Sequence, residues 1–99
     1  MHHFIVEVTY TASLEAIDEA LVEHRAFLQT GYDAGRLLFS GPQNPRIGGI
    51  IVGRAASRAD FEAFLQNDPF RRLNLADYRI IEVEPVKRQP FLESWVQGE

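Results

Sequence analysis

The chain has 99 residues, 45% of them apolar and 11% aromatic, which is enough for one compact domain with a single core and too little for two. Its formal charge is −4, and its 10 lysines and arginines form no run, so the footprint of a nucleic-acid partner is missing. There is no cysteine, which excludes disulfides, thiolate catalysis and cysteine-bearing zinc sites.

Met1-His2-His3-Phe4 has neither a charged leader nor an apolar signal core, and no apolar run nears the ~20 residues of a membrane span. A cytoplasmic protein without a membrane partner is expected, with His2 and His3 read as a frayed end. Phe4 to Thr9 alternates Phe4, Val6 and Val8 with Ile5, Glu7 and Thr9, the period of a half-buried strand. Ser13 is placed to cap a helix from about Leu14 to Ala34, with Gly35 just past its end. Arg36 to Phe39 resumes extended structure, and Ser40-Gly41-Pro42 is expected to break it. Gly48 to Arg54, around Ile50, Ile51 and Val52, reads as a third strand. Ser57 and Asp60 resemble a capping box ahead of a second helix whose buried stripe is Phe61, Phe64 and Leu65. Asp68-Pro69 ends that helix and opens a short turn, and Tyr78 to Glu84 alternates as a fourth strand.

The order β-α-β-β-α-β predicts a ferredoxin-like α+β domain, an antiparallel sheet with both helices on one face. The other face would carry Ile5, Ile81 and Val83, so a homodimer through the sheet faces is expected. The tail from Pro85 to Glu99 holds Phe91, Leu92, Trp95 and Val96, and is expected to pack across the dimer or over a pocket mouth.

His24 stands out on the first helix. At ~100° per residue, Leu14, Ile17, Leu21 and Leu28 share an arc of about 60°, and His24 falls about 20° from Ile17 on that apolar side. An imidazole there needs an acceptor; a carboxylate would orient one ring nitrogen and leave the other to exchange protons. The bland alternative is a core-edge histidine satisfied by a backbone carbonyl. Asp68 is equally double in meaning, either a helix cap or the partner of His24. Ser40, Gly41 and Pro42 could form a plain turn or present a hydroxyl and an open amide to a ligand. Neither these glycines nor Gly48-Gly49 have phosphate-loop spacing, and HExxH, GxSxG and metal triads are missing, so no cofactor or metal is implied.

In chain order, His24 with Phe27-Leu28, Gly35-Arg36-Leu37-Leu38-Phe39-Ser40-Gly41-Pro42, Gly48-Gly49-Ile50-Ile51, Asn67-Asp68-Pro69-Phe70 and Tyr78-Arg79-Ile80-Ile81 before Pro85-Val86 resemble the YciI-like proteins, or YCII-related domain. The resemblance implies a dimeric ferredoxin-like fold akin to muconolactone isomerases and small cofactor-free monooxygenases. It also implies a His/Asp site, carried here by His24 and Asp68, with Ser40, Gly41 and Pro42 lining its pocket. Leu73-Asn74 departs from the small residue and glycine of many relatives, although Asn also tolerates the left-handed conformation. One branch of the family removes chloride from a chlorinated acid.

The leading expectation is a lyase or isomerase acting on an unsaturated or chlorinated carboxylic acid as its small-molecule substrate. His24 would be the acid–base group, Asp68 its orienting partner, and Arg36 or Arg46 the attraction for the carboxylate, with Phe70 in the pocket wall. The competing readings are a non-catalytic dimeric module that binds a metabolite or protein, and, by fold analogy, a cofactor-free oxygenase.

Overall fold

Alternation, caps and turns place the elements in the computed structural model, which describes residues 1–99. They are β1 (His2–Tyr10), α1 (Leu14–Asp33), β2 (Leu37–Pro42), β3 (Gly48–Ala55), α2 (Arg58–Leu65), α3 (Pro69–Arg72) and β4 (Ala76–Val83), then a 3₁₀ turn over Pro90–Leu92 and α4 (Glu93–Gln97). Ser13 Oγ accepts from the Ala16 amide at 3.2 Å and Ser57 Oγ from the Asp60 amide at 3.1 Å, so both long helices start where a hydroxyl satisfies a free donor. Gly35 follows α1 with φ 71°, and Asn74 takes φ 57° after α3, the left-handed positions these residues suit.

The sheet order is β2-β3-β1-β4 with every neighbouring pair antiparallel. Each helical crossover therefore skips one strand, and the fold is the ferredoxin-like α+β arrangement. Phe4, Val6 and Val8 of β1 project to the helix side and are buried with Ile51, Ile17, Leu28, Phe61, Leu65 and Phe70. Phe4 stacks on Phe61 at 4.7 Å between centroids, tying the central strand to α2.

Two local expectations are corrected. His2 and His3 belong to β1 rather than to a frayed end, because His3 pairs in register with Arg54 and Val83 and its Nε2 meets the Val96 carbonyl at 3.1 Å. Ser40-Gly41-Pro42 continues β2 rather than ending it: β2 is an edge strand, where proline costs no ladder bond on its outer side. The short turn expected after Asp68 is present as one four-residue helix, α3, packed against α1. The tail folds back so that the Trp95 ring lies under the Arg54 guanidinium at 4.0 Å, while Phe91 remains 81% exposed.

Candidate active site

α1 carries Ile17, Ala20, Leu28 and Gly31 into the core, and His24 lies on the same side one turn from Ala20 and Leu28. α3 begins at Asp68, whose β-region backbone and following Pro69 make an N-cap. Packing of α3 on α1 brings the two residues together: His24 Nδ1 and Asp68 Oδ1 are 2.7 Å apart.

Asp68 is fully buried, with three donors around its carboxylate. Oδ1 also accepts from the Phe70 amide at 3.0 Å, and Oδ2 accepts from the Tyr78 hydroxyl. A carboxylate offers only lone pairs, so a neutral His24 ring places its hydrogen on Nδ1 and leaves the Nε2 lone pair free. Burial, and then the Asp68 charge, push the Tyr78 hydroxyl well above the usual tyrosine range, so it remains a donor. The Phe70 ring stacks on the imidazole at 3.8 Å and 7°, which fixes the plane in which Nε2 points.

His24 opens onto a cavity of about 350 Å³. The cavity is lined by Ser40, Gly41 and Pro42 of β2, by Leu21, Arg25 and Leu28 of α1, by Val8 and Tyr10 of β1 and Ile51 of β3, and by Arg46 from the loop between β2 and β3. Ser40 Oγ shares a hydrogen with the Tyr32 hydroxyl at 2.6 Å, which holds it in place at the wall. No cluster of three or more His, Asp or Glu side chains is arranged to hold a metal ion, and no helix is long and apolar enough to cross a membrane.

Two residues expected to contact the substrate lie elsewhere. Arg36 sits just before β2, at the opposite end of that strand from Ser40 to Pro42, and its guanidinium rests 5.4 Å from the Phe64 ring centroid; it does not line the cavity. Phe70 lies behind the imidazole, buried, and supports the ring instead of touching the cavity. Sequence reasoning passed over Tyr78, although its inward parity with Ile80 on β4 was readable and an inward hydroxyl requires an acceptor. It also passed over Arg25, exposed on α1, for which periodicity carries no signal.

The chain is similar in fold to the 5-chloro-2-hydroxyhydroquinone dehydrochlorinase of Burkholderia phenoliruptrix, solved in complex with 2,5-dihydroxybenzoquinone. The TM-score is 0.67 and the identity 20%, with 82% of this chain and 91% of that chain covered. No curated protein sequence matches the chain. The model of the YCII-related domain matches residues 1–84, from β1 through β4 and across both His24 and Asp68, and the chain belongs to that family.

Proposed function

We propose that the cavity is the active site of a small-molecule lyase or isomerase in which His24 moves a proton. Nε2 takes a proton from a carbon next to a carbonyl or conjugated acid, and the C–H electron pair passes into the conjugated system. In a lyase that pair expels a leaving group such as chloride from the neighbouring carbon as the new double bond forms; in an isomerase the imidazolium returns the proton at another carbon. Asp68 holds the Nδ1–H and stabilises the cation formed on the ring, as orienting carboxylates do in other acid–base pairs. Unsaturated and chlorinated carboxylic acids are the substrates this chemistry suits.

The 2.7 Å contact between His24 and a buried, triply donated Asp68, with Nε2 left for the cavity, carries this reading. The dehydrochlorinase of similar fold supports the lyase class. The test is a panel of such acids followed by NMR in D₂O for proton exchange and by chloride release. His24→Ala should lower either rate by about 10²–10⁴-fold with the fold retained. Asp68→Asn should lower it as well, because its amide can present a donor to Nδ1 and favour the wrong tautomer. Saturable binding without exchange or release in the wild type would replace the enzyme reading with a binding module.

A further inference from the structure

The cavity inverts the charge of the rest of the molecule. The chain carries −4, yet the residues lining the cavity include Arg25 and Arg46 and no aspartate or glutamate. The two guanidiniums are not equivalent. Arg46 Nη2 donates to Asp18 Oδ1 at 2.6 Å, and its Cζ lies 5.9 Å from the Tyr10 ring centroid, so its charge is balanced and its fork is turned toward α1. The ion pairs of the chain use His2, His24, Arg46, Arg58 and Arg88, which leaves Arg25 without a carboxylate. The carboxylate nearest in role, Asp68, is already engaged by His24, Phe70 and Tyr78. One positive charge at this cavity is therefore uncompensated, and it stands on the residue next to His24.

We infer that Arg25 is the anion anchor of the cavity and selects small planar carboxylates over neutral molecules of the same shape. This rests on the reading of the cavity as the substrate site, and not on turnover. A guanidinium presents a planar fork that meets a carboxylate with two parallel hydrogen bonds, stronger than neutral ones. Val8, Leu21, Leu28 and Ile51 offer the carbon skeleton apolar contact, and about 350 Å³ is at the small end of ligand pockets, suited to one ring or a short unsaturated chain. Low-dielectric walls concentrate the field of an unbalanced charge. Arg46 is the poorer anchor because an incoming acid would have to displace Asp18.

Benzoate and its neutral isostere benzamide separate the possibilities, titrated by two-dimensional NMR into wild type, Arg25→Gln and Arg46→Gln. Benzoate should shift Val8, Ser40, Gly41 and Gly49 amides and bind at least tenfold tighter than benzamide. Arg25→Gln should erase that preference with an unchanged melting temperature, and Arg46→Gln should retain most of it. Equal binding of the two probes, binding of neither, a preference that survives Arg25→Gln, or one lost in Arg46→Gln would each overturn the anchor. His24-dependent proton exchange that is indifferent to Arg25→Gln would remove the anchor and leave the acid–base reading. An Arg25-dependent preference without exchange on any acid would do the reverse.

Discussion

Asp68 shows how one residue can cap a helix and hold a histidine and a tyrosine together. It closes the first turn of α3, orients His24 and receives Tyr78, and each lost donor would leave a buried charge less well solvated. Tyr78→Phe should therefore destabilise the protein by about 1–3 kcal/mol, measured by urea unfolding at neutral pH. The pH dependence has a definite sign. Because the folded protein raises the Tyr78 pKa, its contribution is complete below the unfolded value of ~10 and fades as pH climbs above it, where unfolded chains ionise first. The stability gap between wild type and Tyr78→Phe should narrow from pH 9 to pH 11, with Tyr10 and Tyr32 common to both proteins. A gap that widened would mean that the hydroxyl ionises more readily in the fold.

Among the elements, α1 and the neighbouring strands β2 and β3 line the cavity, and they yield graded expectations. Leu28 is buried in the core, Leu21 is half-buried at the cavity wall and Glu19 is exposed. Leu28→Ala should cost about 2–5 kcal/mol, Leu21→Ala less and Glu19→Ala within about 0.5, ranked by thermal or chemical unfolding. On β3, a Cβ at Gly48 would stand 1.7 Å from the Val8 carbonyl oxygen, whereas one at Gly41 on β2 meets nothing within 4 Å. Gly48→Ala should thus cost several-fold more stability than Gly41→Ala in the same assay. The caps, the helix phase and the element order were legible because each depends on neighbours within one or two turns of chain. The continuation of β2 through Pro42 was not, since only its place at the sheet edge makes proline acceptable there. His24 and Asp68 could be singled out by an apolar phase and a cap signal. Arg25 could not be preferred to Arg36, because an exposed arginine in the middle of α1 carries no periodic signal and only the packing of the elements decides which one meets the cavity.

At the scale of the whole molecule, both long helices cover one face of the sheet and the other face remains largely open. Strand register aligns an apolar row there: Phe39 pairs with Val52, Val52 with Ile5, and Ile5 with Ile81. Phe39 is 55% exposed and Ile81 38%, while Trp95 and the tail cover only the end of the face near His3 and Arg54. A second copy of the same surface would bury the row about a two-fold axis, and a standard interface removes about 800 Å² from each partner, a large gain for so small a domain. Light scattering should therefore give twice the chain mass at tens of micromolar. Ile81→Glu should shift the protein toward monomer while circular dichroism is unchanged, because the new carboxylate would be desolvated only in the assembled pair. Val22→Glu, on an exposed position of α1, serves as the control and should leave the mass as it was. A wild-type monomer at these concentrations, or an Ile81→Glu variant with the full wild-type mass, would show that this row is not what joins two chains.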